Sequence, residues 1–324
     1  MSLSNLSKAQ CGCQMFWSSF PFKICLPLNF IFKLVSDKVC SIMVIGGFQK
    51  NSNEVLFESL TNIQLPSLPV DIHCSTEAIF NGTLLVCGGV ERVEQCLQLE
   101  NGQWKEHSNM NHMRRYASAV QTKSGIFIFG GIDSPNTFEY LPNNSRTWIL
   151  GETEIQDGFQ DGCVIVNNSG QDVLLFGGYQ TERRILKFNI NERTFAELPL
   201  QLNVGRYGHR CAFIPNTNKI IITGGRALNY PDVSEILDLD KAKITMMTSP
   251  MNFKRSRHGI GVITIDVEDK LVVFGGYNEN GCIDSVELFD DESQTWEMTD
   301  IKLTEGKYSF GFFTVKLGNI LYGL

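Results

Sequence analysis

Across 324 residues, 43% hydrophobic and 19% charged, the chain has the balance of an ordinary soluble globular protein with ample material for a core. Its 28 Lys and Arg against 35 Asp and Glu leave a net charge of −7, which speaks against nucleic acid as the main partner. Ten cysteines show no C-x-x-C and no paired His spacing, so they offer no zinc site. Several, such as Cys87 and Cys211, sit in apolar strands as free, small hydrophobes, which suits a reducing compartment and makes the cytoplasm the expected location.

Residues 1 to 40 fall outside the pattern that follows. Met15 to Leu34 is apolar and aromatic, but Pro21, Lys23, Pro27, Asn29 and Lys33 interrupt it. A spanning helix or a signal peptide needs a cleaner apolar run, so this stretch is expected to be a leader with no membrane role.

From Ser41 onward one figure recurs: a short apolar run ending in Gly-Gly, at Gly46-Gly47, Gly88-Gly89, Gly130-Gly131, Gly177-Gly178, Gly224-Gly225 and Gly275-Gly276. Steps of 42, 42, 47, 47 and 51 residues mark a repeat with one supersecondary unit per copy. An uninterrupted apolar run of this length reads as a strand covered on both faces, and the glycines turn the backbone where a side chain would clash. They are read as structural.

Each unit repeats strand, turn, diglycine strand, loop, third strand, turn, fourth strand. In unit two the strands are expected at Cys74 to Phe80, Thr83 to Cys87, Glu94 to Leu99 and Gln103 to Glu106, with Asn81-Gly82 and Asn101-Gly102 as hairpin turns. In unit six they are expected at His258 to Thr264, Lys270 to Phe274, Ile283 to Phe289 and Gln294 to Met298. No long segment has a helical period. The expected fold is therefore all-β: a ring of six four-stranded antiparallel blades, a β-propeller occupying residues 41–324. Trp104, Trp148, Phe195 and Trp296 recur in the fourth strands as wedges between blades, while units one (Ile63) and five (Ile244 to Met246) lack the aromatic. A last strand, Tyr308 to Lys316, is expected to close the ring as the innermost strand of blade one.

The six diglycines, the tryptophans, the third-strand acids (Glu58, Glu139, Glu235, Glu287) and the basic residues opening first strands (Arg115, Arg206, Arg257, Lys307) make the chain similar to the kelch-repeat family of six-bladed propellers. The resemblance implies a non-enzymatic protein-interaction module. It points to the substrate-recruiting adaptors of ubiquitin ligases, or alternatively to an actin-binding or cytoskeletal scaffold. The BTB and BACK regions that precede the propeller in BTB–kelch adaptors do not fit in 40 leading residues, so the chain is expected not to reach a cullin by that route alone. Unit four departs from the pattern, opening with Gln160-Asp161-Gly162 where an Arg is expected.

No nucleophile, paired-carboxylate or metal-ligand spacing stands out, so no enzyme activity, cofactor or metal is expected. A copper enzyme like the seven-bladed kelch-like oxidases is the rival, set aside because the chain has six diglycines and no paired histidines. The loops after the diglycine strands and those entering the next first strands share one end of the ring, where function collects. That end is read as presenting Arg114, Arg115, Tyr116, Arg206, Tyr207, His209, Arg210, Arg255, Arg257, His258 and Lys307 from one loop set. From the other come Phe48, Tyr179, Arg226, Tyr230 and Tyr277. The family resemblance assigns charge to Arg115, Arg206 and Arg257 and apolar contact to Phe48, Tyr179 and Tyr277, for an acidic peptide or loop of a protein partner. The competing reading is that the arginines only bridge blades by bonding loop carbonyls or the third-strand Glu.

Overall fold

The structure is a computed structural model that describes residues 39–45, 47, 54–56, 66–70, 72–90, 93–227, 231–265 and 268–316. Among them every regular element is a strand. Five sheets have four antiparallel strands each. In chain order, sheet 2 is Thr76–Phe80, Thr83–Cys87, Cys96–Glu100 and Gln103–Glu106. Sheet 3 is Ser118–Gln121, Gly125–Phe129, Phe138–Pro142 and Ile149–Leu150. Sheet 4 is Cys163–Val166, Asp172–Phe176, Ile185–Asn189 and Thr194–Glu197. Sheet 5 is Arg210–Phe213, Lys219–Thr223, Glu235–Asp238 and Lys243–Met246. Sheet 6 is Gly259–Ile265, Glu268–Phe274, Ser285–Asp290 and Thr295–Lys302.

Sheet 1 corrects the expectation of six four-stranded blades. It has three described strands, Glu54–Leu56, Val39–Ile45 and Gly311–Lys316, in that spatial order. The fourth strand expected near Ile63 lies outside the described residues, as do Gly46, Phe48, Glu58, Tyr230, the tail from 317 onward and, apart from Val39 and Cys40, the leader. The C-terminal strand pairs with the first along its length, from Ile45 against Gly311 to Val39 against Lys316. The two ends of the described chain therefore hold each other by backbone hydrogen bonds.

The first strands of sheets 2 to 6 pack side by side in chain order, and Gly311–Lys316 fits between the first strands of sheets 6 and 2, completing a circle. Each interface between neighbouring sheets has its own apolar cluster. Trp148, 4% exposed, fills the cluster between sheets 2 and 3, and Trp296, 6% exposed, the one between sheets 5 and 6. Trp104 and Phe195 are half-buried in the equivalent places.

The diglycines do what their spacing predicts. Gly177 has φ +54, and a Cβ there would sit 2.6 Å from the carbonyl oxygen of Arg206 in the next loop. Asn81-Gly82 and Asn101-Gly102 have positive φ at both residues, the signature of the two-residue hairpin expected there.

Candidate functional site

Six loops enter the six inner strands, and one residue in each takes a left-handed conformation: Cys74, Tyr116, Asp161, Gly208, Arg257 and Ser309, with φ between 52° and 62°. These residues are joined head to tail. Tyr116 N donates to Cys74 O (2.9 Å), Asp161 N to Tyr116 O (2.8 Å), Gly208 N to Asp161 O (2.5 Å) and Arg257 N to Gly208 O (2.6 Å). Ser309 N then donates to Arg257 O and Cys74 N to Ser309 O, both at 3.1 Å. The result is a closed ring of backbone hydrogen bonds around the axis. It satisfies groups that loop residues would otherwise leave bare.

Two residues before each ring position lies a second repeated place, marked by a carbonyl that accepts the N–H of the second glycine of the preceding sheet. These carbonyls belong to Ile72, Arg114, Phe159, Arg206, Arg255 and Lys307. The three arginines are almost wholly buried, at 0–1% exposure, and each turns inward onto the third strand of its own sheet. Arg114 pairs with Glu139 at 3.0 Å, Arg206 with Glu235 at 2.7 Å and Arg255 with Glu287 at 2.6 Å. Each guanidinium also donates to the carbonyl of its sheet's first glycine: Gly130, Gly224 and Gly275. The carboxylates accept further bonds from the backbone and side chain of an asparagine three residues before each arginine: Asn111, Asn203 and Asn252. Full satisfaction is what permits such pairs to be buried at all.

These braces correct the cationic site read from the sequence. Arg206 and Lys307, 0% and 1% exposed, occupy brace positions and are not surface contacts. His258, also 0% exposed, is interior: its Nε2 lies 2.8 Å from Thr223 Oγ1. His209 is equally buried, and Arg114 and Arg255 go inward as described. Desolvation first, and the nearby arginines next, hold both imidazoles well below their ordinary pKa and therefore neutral. Arg115 and Arg257 stand one and two residues beyond Arg114 and Arg255, and both reach the surface. Sequence reasoning grouped three different places as one; the asparagine three residues ahead is the signal that sets the register.

Arg257 spans the ring mouth. Its Nε and Nη2 donate to one oxygen of Asp161 at 3.0 and 2.9 Å, across the gap left by Gly208, and its guanidinium lies 4.1 Å from the centre of the Tyr116 ring. Burial, the largest single influence, would lower the Arg257 pKa, but the charge and hydrogen bonds of Asp161 together with Tyr116 and Cys74 more than offset it and keep the group cationic. Cys74, Ser309 and the partly buried Arg210 line the small polar cavity beneath, and Glu77 stands close enough to Arg210 to feel its charge. Burial pushes the Glu77 carboxyl up to about 7, opposed by its bond from Ser75 and the charge of Arg210.

Around this mouth the two loop sets meet, as expected, through backbone pairing of Tyr207 with Arg226 and of Ser256 with Tyr277. Tyr179 packs edge-on against Tyr207 with ring centres 5.3 Å apart, and Tyr277 packs at a tilt of 43° against Tyr308 at 5.1 Å. Tyr179, Ile132 and Arg226 are exposed, while Tyr207, Tyr277 and Tyr308 are half-exposed. Arg115 reaches the same rim and is held bidentately by Asp133, at 3.0 and 2.8 Å. Gly47, Gly88, Gly89, Gly131, Gly178, Gly225 and Gly276 are buried beneath the face and shape it without contributing to it.

The cysteines differ from the sequence reading. Cys87 is bonded to Cys96 across one strand pair, and Cys163 to Cys211 between the inner strands of sheets 4 and 5. Cys74 and Cys282 are free thiols. No group of three His, Cys, Asp or Glu that could hold a metal occurs among the described residues.

Comparison with known proteins places this geometry. The model of the KLHDC2/KLHL20/DRC7 Kelch-repeats domain matches residues 162–323, half of the chain. A kelch repeat-containing protein of Dictyostelium discoideum is 28% identical over 201 residues, covering 54% of this chain and 30% of that protein. The chain thus spans under a third of the length of that relative. The structure of YjhT superposes with a TM-score of 0.64 at 15% identity, over 76% of this chain and 88% of that one, a likeness of fold.

Proposed function

Because the chain belongs to the kelch-repeat family, we propose that it is a protein-interaction module without catalytic activity, built on six blades, that takes its partner on the face around the ring mouth. The six-membered ring of loops and the circle of inner strands support the blade count, with sheet 1 as the sixth blade. One observation carries the choice of face. The pairs Tyr179–Tyr207 and Tyr277–Tyr308 share this face with Arg226, which pairs with Tyr207 through its backbone, with Arg257 at the mouth and with Arg115 at the rim, on a scaffold locked from below by buried braces. Rigid, partly exposed tyrosines with guanidinium groups between them suit an extended segment that carries acidic and apolar side chains. In its finer form the reading is substrate recruitment to a ubiquitin ligase, with actin or another cytoskeletal surface as the alternative.

The test is affinity purification from cells producing the full chain, with partners identified by mass spectrometry. Tyr179→Ala with Tyr277→Ala, and Arg115→Ala with Arg226→Ala, are expected to lose the same partner while melting near the wild-type temperature, because all four side chains lie at the rim. Retention of that partner by both double variants would overturn the assignment of the face. Actin co-sedimentation that survives both pairs would favour the scaffold reading. The cytoplasm remains our proposal on composition, and there Cys87–Cys96 and Cys163–Cys211 would stand as thiol pairs. Counting reactive thiols in protein purified without reductant decides it.

A further inference from the structure

Sheet 4 differs from sheets 2 and 3 at its outer edge. In those two sheets the wedge tryptophan ties down the loop in front of it: Trp104 Nε1 donates to Pro66 O at 2.9 Å and Trp148 Nε1 to Ser108 O at 3.2 Å. Phe195 holds the matching place in sheet 4, opposite Phe188, and has no N–H to offer. At its outer edge the loop ahead of it is held by Thr153 Oγ1 donating to Arg193 O and Arg184 Nη1 donating to Gln156 O, both at 2.5 Å, while Ile155 between them is buried and tied inward to Asn136 by two hydrogen bonds of 2.8 Å. Between these pins an open groove of about 560 Å³ remains.

Its floor is Leu186 and the half-buried Phe195 ring, and its rim carries the exposed carboxylates of Glu154 and Glu197. The one cation lining it, Arg184, is already matched, with Glu197 at 3.1 Å and Asp157 at 3.6 Å. An accessible aromatic face between carboxylates attracts a cation twice over, through the ring quadrupole and through direct charge pairing. The net charge of −7 adds long-range attraction of the same sign.

We infer that this groove docks a basic segment of a partner protein, with a Lys or Arg side chain over Phe195 between Glu154 and Glu197 and an adjacent apolar side chain against Leu186. The site shares no residue with the ring face, so the two surfaces can be occupied independently.

The probe is the peptide acetyl-Lys-Leu-Lys-amide, titrated into the isotope-labelled full chain at low salt and followed by amide chemical shifts. Saturable shifts are expected at residues 153–156 and 194–197. Affinity should fall at least about tenfold in Glu154→Gln and again on raising salt, because one of two pairing carboxylates, then the rest of the field, is removed. Phe195→Trp, which refills the groove, should abolish the response and leave a folded protein. The inference is overturned if no saturable shift appears, if shifts centre elsewhere, if acetyl-Glu-Leu-Glu-amide acts equally well, or if Glu154→Gln binds like wild type.

Discussion

Sheets 3, 5 and 6 carry a buried Arg–Glu pair where sheets 2 and 4 carry two apolar residues in the same two places. Arg114, Arg206 and Arg255 meet Glu139, Glu235 and Glu287. In sheet 4 the matching residues are Phe159 and Leu186, both in one apolar cluster, and in sheet 2 they are Ile72 and Leu97, again sharing a cluster. None of sheets 2 to 6 mixes the two solutions. Physics allows either: a satisfied ion pair and a well-packed apolar pair of similar volume are close in stability, whereas a lone charge in the same place is strongly unfavourable. The fold thus needs the place filled as a pair and is indifferent to the chemistry.

The largest expected effect comes from breaking one pair. Arg206→Met leaves Glu235 buried with only its bonds from Asn203 and Val204. It should cost about 3–5 kcal/mol in urea unfolding, while the same methionine at the rim residue Arg115 costs under about 1 kcal/mol. The wedges sharpen the contrast. Trp148→Ala should cost about 3–5 kcal/mol. Phe195→Ala should cost less, because that ring is half-buried and already borders open space. Equal losses at the two sites would contradict the groove's origin.

The smallest effect is a pH dependence at the axis. Burial raises Glu77 from 4.5 to about 7, so the folded state holds that proton more tightly than the unfolded one. The contribution is favourable below pH 4.5 and lost as pH rises toward 7. Glu77→Gln should therefore raise the melting temperature at pH 8 by about 2–4 °C and leave it unchanged near pH 4. The lowered pKa values of His209 and His258 act in the opposite direction, since their protonation opposes folding, so their contribution holds above about pH 6.5 and is lost below it.

Much of the architecture was legible because it rests on local rules. The diglycines demand positive φ, the Asn-Gly turns fix their hairpins, and unbroken apolar runs mark inner strands. Two strands of unit two, Thr83–Cys87 and Gln103–Glu106, start and end where the pattern placed them. The functional surface was less legible. A basic residue opening a first strand has no fixed distance from the ring, so Arg115, Arg206 and Arg257 looked equivalent although one faces the core and two the rim. Only the repeated asparagine three residues ahead separates them. Phe159 as the stand-in for the missing arginine of unit four became visible only through its carbonyl, which accepts from Gly131 N as the carbonyls of Arg114, Arg206 and Arg255 accept from Gly89, Gly178 and Gly225. The disulfides depend on contacts between elements 9 and 48 residues apart, which spacing alone does not define.

A double-mutant cycle at Arg206 and Glu235 tests the central claim most directly, by urea unfolding of the wild type, Arg206→Phe, Glu235→Leu and the double variant that imports the sheet 4 pair. The account predicts about 3–5 kcal/mol for each single change and recovery to within about 1.5 kcal/mol of wild type in the double. Additive losses, or single variants that unfold like wild type, would contradict it.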